Sequence, residues 1–210
     1  MGVSTNSSSL PGELGVIRRH AERSVPEDAA QILAEGVVAH VAWEVNGQPV
    51  VIPFGYQFDP SDPEHLYLHG SPGSSTLSHL ANGKPVSIAV TLVDGFVFSR
   101  TALNHSMNYR SVVCFGSGRL VLDREQKRRM FADMTLRYLP GRTEGKDYQG
   151  PTDAQLDSTQ VIEITLHTKS AKCRRGGPTG PLDNVEGLPE TCGVVQLRET
   201  REVDYWPKNT

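Results

Sequence analysis

The chain has 210 residues, which is enough for one domain with a full core. A formal net charge of −3 gives no basic surface to drive binding to nucleic acid or an anionic membrane. Three scattered cysteines, Cys114, Cys173 and Cys192, are odd in number and form no CxxC pair, so they argue against a disulfide framework or a zinc site and fit a reducing, cytoplasmic compartment.

Residues 1–13 are polar and Ser-rich and lack the apolar core of a signal peptide, so they read as a disordered start. Residues 14–200 are expected to form one domain, followed by a polar tail at 201–210. No apolar run reaches membrane-spanning length. Ser24-Val25-Pro26-Glu27 has capping-box spacing with proline in the first turn, and predicts a short helix through Ala29, Ile32 and Leu33 that stops at Gly36. Val37, Ala39, Val41, Trp43 and Val45 alternate as one face of a strand. Asn46-Gly47 is a hairpin signal, and the return strand is QPVVIPFGYQF. Pro49 and Pro53 in that strand are expected to leave ladder bonds missing.

Further along, HLYLHG at 65–70 predicts a strand. Ser74 is placed to cap a short helix over 75–82, with Gly83 past its end. PVSIAVTLV and FVFSR read as two strands around Asp94-Gly95, a second hairpin signal. The polar stretch NHSMNYRS at 104–111 then runs into a strand in which Gly116 and Gly118 suggest a bulge or bend, as where a strand curls round a barrel. Asp123 is expected to cap a longer helix, with Gln126 at the box position and Met130, Phe131, Met134 and Tyr138 as its apolar stripe. One helical turn is expected at 152–156, a strand at 159–168, and a last short strand, CGVVQL, after a Gly/Pro-rich loop. Consecutive antiparallel strands with few helices point to a mainly β fold, a small β-barrel with flanking helices, and not to a doubly wound sheet. Neither GxGxxG after a strand nor GxxxxGK[ST] is present.

Four groups of residues could carry chemistry. Ser71, Ser74, Ser75 and Thr76 crowd hydroxyls at a helix start, which serves either an anion or plain capping. Arg110, between Tyr109 and Ser111, offers a bidentate fork for phosphate or closes a strand-end salt bridge. His69 and His105 could donate a proton near neutral pH or be structural. Lys169, Lys172, Arg174 and Arg175 could reach an acidic ligand from another subunit or sit in water. No HExxH metal pattern and no GxSxG nucleophile motif occurs.

The blocks VVIPFGYQF, LYLHGSPGSSTLSHL, VSIAVTLVDGFVFSR, HSMNYRSVVCFGSGRLV and SAKCRRG, in this order, resemble the flavin-nucleotide-binding and nitroimidazole-resistance branch of the pyridoxamine 5′-phosphate oxidase-like split barrels, over roughly residues 16–176. The resemblance implies a six-stranded antiparallel split β-barrel and a homodimer with FMN in a groove between subunits. Carried over by residue, Val51, Ile52, Pro53 and Phe54 would lie beside the isoalloxazine. His69, Gly70, Ser74, Ser75 and Thr76 would form the turn at the ribityl phosphate. Asn108, Tyr109, Arg110 and Ser111 would line the flavin, and Lys172 and Arg174 would approach from the last strands.

The chain departs from the family in having Ser75 and Thr76 where an Arg or Lys is often found. Losing that cation removes a charge-assisted bond of about 1.5–3 kcal/mol, about one to two decades of affinity, which Arg110 or Arg100 would have to supply. The segment after Gly177 also diverges, and the substrate-binding pattern of true pyridoxamine phosphate oxidation is not evident there. The expected function is FMN-dependent oxidoreduction of a small organic substrate, nitroaromatic or natural product, with His69 as proton donor. The rivals are a haem-binding or haem-degrading barrel with His69 or His105 as axial ligand, and a flavin-storage protein without turnover.

Overall fold

Asn46 and Gly47 both take positive φ, 51° and 80°, as a two-residue type I′ turn requires. They join strand β1 (Val38–Val45) to β2 (Gln48–Gly55), with Val45 opposite Gln48 and Val38 opposite Gly55. In such a hairpin the pair that closes the turn is hydrogen-bonded, and bonded and non-bonded pairs then alternate. Glu44–Pro49 and His40–Pro53 therefore fall on non-bonded pairs. The ladder bonds expected to be missing at the two prolines are missing on the outward side, because the register turns both away from β1. That is tolerable because β2 is the outermost strand of the sheet order.

The computed structural model describes residues 14–204. The polar start at 1–13 and the tail residues 205–210 lie outside the described residues. The chain divides into two compact units, one of Met1–Thr91 with Ser111–Lys172 and one of Leu92–Arg110 with Cys173–Thr210. The remaining strands are β3 (Gln57–Phe58), β4 (His65–Gly70), β5 (Asn82–Phe98), β6 (Ser106–Leu120), β7 (Gln160–Arg174) and β8 (Gly193–Gln196). The order is β2-β1-β5-β6-β7-β4-β3, with β8 added to β5. Six strands were expected; two short ones, β3 and β8, bring the described count to eight. Among the described residues, no helix is long and apolar enough to cross a membrane.

In the first unit the core follows the two-residue strand period. Leu66 and Leu68 of β4 and Ile162 and Ile164 of β7 are buried, facing each other in register. Helix α1 (Ala29–Glu35) adds Ile32 and Leu33, and α2 (Ser75–Ala81) adds Leu77 and Leu80. Each such side chain contributes about 1.5–3 kcal/mol by leaving water. β6 runs unbroken through Gly116, where a bend was expected. A Cβ there would stand 2.2 Å from the Thr165 carbonyl oxygen, so the glycine marks the close approach of β7.

Helix α3 (Arg124–Tyr138) starts as predicted, with the Asp123 carboxylate accepting the Gln126 N–H at 2.7 Å. Its Met130, Phe131 and Met134 pack with Val121, Val161 and Tyr67. The Gln126 side chain reaches Glu163 at 2.9 Å and does not return to the cap. Helix α4 (Asp153–Asp157) carries a complete capping box between Thr152 and Gln155. Ser24, in contrast, does not start α1; it ends a 3₁₀ turn, Ala21–Arg23, its N–H donating to the Ala21 carbonyl at 3.0 Å. Ser24 bridges to Lys172, and the neighbouring Val25 N–H donates to the Ala171 carbonyl at 3.0 Å, which holds this stretch extended beside β7. A short 3₁₀ turn, Pro26–Asp28, leads into α1 instead.

In the second unit, β8 pairs with β5 from Gly95–Gln196 to Phe98–Gly193. The expected hairpin at Asp94-Gly95 is absent, and β5 passes straight through it. Asp94 is held by Arg110, and its carbonyl accepts the Leu197 N–H at 3.0 Å. A Cβ on Gly95 would lie 2.7 Å from the Val195 carbonyl oxygen. The glycine serves strand approach here, not a turn.

Candidate functional site

The sequence-predicted residues of the first unit occupy separate places. Val51 and Ile52 on β2 are 56% and 38% exposed, an apolar surface on an outer strand. Pro53 is exposed and Phe54 half-buried. His69 pairs with Val161 and Gly70 with Gln160 at the end of β4. The His69 ring meets Phe131 of α3 edge-on, with centroids 5.1 Å apart. Its Nδ1 is buried without a hydrogen-bond partner, and burial holds its pKa below the ordinary 6.5, so the ring is neutral at neutral pH.

Ser74 caps α2, its hydroxyl accepting the Leu77 N–H at 3.3 Å. Thr76 is buried and accepts the Trp43 indole N–H at 3.2 Å; Ser75 is exposed. Ser111 donates to the Lys172 carbonyl at 3.4 Å, and the Lys172 ammonium donates to the Arg19 carbonyl at 3.1 Å. The Cys114 thiol, on β6 and pushed up to about 12 by burial, is no nucleophile at neutral pH.

The second unit gathers its predicted residues more closely. Arg110 grips Asp94 through Nη2–Oδ1 at 2.8 Å and Nε–Oδ2 at 3.0 Å. Asn108 is buried; its amide donates to the Gly176 carbonyl at 3.0 Å and accepts from Arg174. Arg174, also buried, donates to the Gly177 carbonyl at 3.1 Å. Asn108 and Arg174 thus come together around the 176–177 turn, while Tyr109 stays half-buried beside them in sequence. His105 accepts the Ser99 backbone N–H at Nδ1, 2.9 Å away.

One important residue escaped sequence reasoning. Asp183 is buried and accepts the Arg100 N–H at 2.8 Å, the Ser99 hydroxyl at 2.9 Å and the Gly180 N–H at 2.6 Å. The Arg100 N–H, then the Ser99 hydroxyl and Gly180 N–H, hold its carboxyl below the ordinary 3.8. The Arg100 guanidinium donates to the Leu182 and Val185 carbonyls. The one hint in the sequence is an aspartate after Gly-Pro-Leu, a turn-like setting that is silent about a partner 84 positions away.

The sequence profile of pyridoxamine 5′-phosphate oxidase matches residues 26–173. Among solved structures, the flavocytochrome Anf3 from Azotobacter vinelandii is similar at 24% identity, with 94% of this chain and 91% of that one covered and a TM-score of 0.81. The FAD and haem binding protein from Mycobacterium smegmatis is 27% identical over 90% of each chain, with a TM-score of 0.79. A candidate 5-nitroimidazole antibiotic resistance protein from Bacteroides thetaiotaomicron VPI-5482 is 20% identical over 71% of this chain and 86% of that one, with a TM-score of 0.58. No curated protein matches. The matched segment takes in both the β1–β2 hairpin and the β6–β7 ladder, so the chain belongs to the pyridoxamine 5′-phosphate oxidase family, and its mainly β, antiparallel fold is that family's split barrel.

Proposed function

We propose that the chain is a flavin-binding redox protein that also carries haem and passes electrons to a small organic acceptor. The observation that carries this reading is the likeness to the FAD and haem binding protein from Mycobacterium smegmatis, which extends over 90% of each chain, beyond the 26–173 segment of the family profile. FAD is the flavin we assign, after that relative. FMN, implied by the sequence blocks, lacks the adenylate and is the alternative. A flavin supplies one- or two-electron chemistry and a haem one-electron chemistry.

Arg110 is the cation we assign to the flavin phosphate, with Asp94 orienting its fork. The exposed Val51 and Ile52 are assigned to the contact with a second copy of the chain in a homodimer. Between the two histidines considered for haem, the hydrogen bonds discriminate. His105 accepts a backbone N–H at Nδ1, so its proton resides on Nε2, which then offers no lone pair. His69 keeps a buried Nδ1 without a partner, so it is the candidate axial ligand. All three cysteines are free, in keeping with a reducing compartment.

Absorbance of the purified protein and mass spectrometry of what it releases on denaturation test the reading. Flavin bands together with a Soret band are expected, and His69→Ala should lose the Soret band and keep the flavin. A protein that releases no flavin overturns the reading. Reduction by NADH or NADPH followed by transfer to a nitroaromatic tests turnover; a bound flavin that no donor reduces would leave storage.

A further inference from the structure

Arg100 lies just past the end of β5, and its guanidinium is held by one corner only. Nη1 donates to the Leu182 carbonyl at 3.0 Å and to the Val185 carbonyl. Nε is buried with no hydrogen-bond partner, and Nη2 makes no bond to any of the described residues. Nε and Nη2 together form the side edge of the guanidinium, the edge with which Arg110 grips Asp94. In Arg100 the two carbonyls fix the direction of that edge, and the edge itself holds nothing. A buried donor left unsatisfied is unfavourable, so the arrangement calls for an acceptor.

The chain's own acceptors nearby are already engaged. Asp183 gives its oxygens to the Arg100 main-chain N–H, the Ser99 hydroxyl and the Gly180 N–H, and none to the guanidinium. The turn that follows Arg100 adds donors. Thr101 donates to Asn104 Oδ1 at 2.8 Å, which leaves the Asn104 –NH₂ without an acceptor among the described residues. His105 takes the Ser99 N–H at Nδ1, so its Nε2 carries a hydrogen that no described residue accepts. A Cβ on Gly180 would stand 3.0 Å from the Asn104 Cβ, so Asn104 borders the same 180–185 segment that holds Arg100. Donors thus outnumber acceptors at this end of the second unit.

We propose that the Nε/Nη2 edge of Arg100 binds the phosphate group of a small phosphorylated ligand, at a site separate from that of the flavin. The edge is a fork that matches two oxygens of a phosphate, through charge-assisted bonds stronger than neutral ones. The remaining phosphate oxygen is left for the amide and imidazole donors of the turn. A carboxylate has only the two oxygens that the fork takes, and would leave those donors idle. The flavin phosphate is assigned to Arg110, beside Asp94. Phe98 is four residues past Asp94 on β5, about 13 Å along a strand, and Arg100 lies beyond it. That is farther than the two phosphates of one dinucleotide reach, so the Arg100 edge serves a different anion.

The protein, with whatever cofactors it carries on purification, is titrated with inorganic phosphate while NMR follows its arginine Hε signals; sodium chloride at equal ionic strength is the control. A saturable shift of the Arg100 Hε signal with phosphate alone is expected. Arg100→Lys, which keeps the charge and loses the fork, should weaken phosphate binding about tenfold or more. Arg124→Gln, on α3, should leave it unchanged. Adenosine 2′-phosphate and glycerol 3-phosphate, titrated in parallel, distinguish a nucleotide from a smaller phosphate by which binds tighter. No shift at Arg100, an equal shift with chloride, or undiminished binding by Arg100→Lys would overturn the proposal, and the parent's own Arg100 signal decides even where the variant does not fold. A shift that follows protein concentration instead of phosphate would mean that a carboxylate of a second copy fills the edge, and would also overturn it. So would loss of flavin from Arg100→Lys, which would place the flavin phosphate here. The visible spectrum of the same sample reports the cofactors separately, so either idea can fail alone.

Discussion

Arg110 and Asp94 form a fork-to-fork ion pair, Nη2 to Oδ1 at 2.8 Å and Nε to Oδ2 at 3.0 Å, on adjacent strands of the second unit. The sequence left two roles open for this arginine, and the geometry permits both, because a carboxylate that clamps the guanidinium also fixes its plane. Arg110→Ala should keep the fold and lose flavin, with affinity falling about 10- to 100-fold. Asp94→Asn should retain it, since the charge persists. Flavin occupancy after gel filtration checks both, and full occupancy in Arg110→Ala would end the assignment.

Arg137 is a rivet of a different kind. Its hydrogen bonds go to main-chain carbonyls and the Tyr138 hydroxyl instead of a carboxylate. Its guanidinium donates to the carbonyls of Leu33, Ala34, Gly36 and Tyr56, and lies over the Tyr56 ring at 4.3 Å and the Tyr138 ring at 4.9 Å. The carbonyls of Leu33 and Ala34 belong to the end of α1, where no further helical N–H follows to donate to them. Arg137→Ala should lower stability by about 3 kcal/mol, about 6–12 °C in Tm for a chain of this size. Arg137→Lys should recover little of it, because a single ammonium cannot reach four carbonyls. A thermal unfolding midpoint within 2 °C or so of the parent's would contradict this.

Asp183 makes the docking of segment 180–185 sensitive to acid. Its pKa lies below the ordinary 3.8 in the folded chain, so its contribution is complete above that value and is lost as pH falls through the folded one. Hydrogen exchange at Gly180 and Arg100, whose N–H groups it accepts, should stay slow at pH 5 and quicken as the pH drops below the usual aspartate range. In Asp183→Asn, exchange should be faster at pH 5 and should lose this acid dependence. Equal protection in parent and variant would remove Asp183 from its role.

Two glycines separate backbone shape from backbone proximity. Gly47 needs its positive φ, with open space where a Cβ would go, whereas Gly95 needs the space itself. Gly95→Ala should push β8 away, costing about 1–3 kcal/mol and exposing residues 193–196 to exchange. Gly47→Ala should instead cost about 1 kcal/mol through φ alone and leave β8 protected. Protection of β8 that survives Gly95→Ala would contradict the close-approach reading.

What could be read from the sequence was local. The Asn46-Gly47 turn, the Asp123 cap, the helical turn near 152–156 and the Met130–Phe131–Met134 stripe rest on neighbours within a few residues, and each formed. Asp94-Gly95 misled because the same dipeptide satisfies a turn or a strand, and the choice was made by Arg110 and β8 from elsewhere in the chain. Ser24 misled for a similar reason, with Val25 beside it bonded to Ala171. His69 was recognised as a strand-end histidine, but its contact with Phe131, 62 positions later, and the carbonyl cluster round Arg137 depend on packing that no local pattern encodes.

Pro49 and Pro53 on the outermost strand bear on how copies of the chain can meet. Pro49, Val51, Pro53 and Gly55 share one direction along β2, so two of four amide donors in the outward row are missing. A foreign strand laid against that rim would find acceptors without matching hydrogens, which protects it from runaway sheet growth and amyloid-like stacking. What β2 offers a neighbour is therefore its side chains and not its edge, with Val51 exposed on one face of the ribbon and Ile52 on the other.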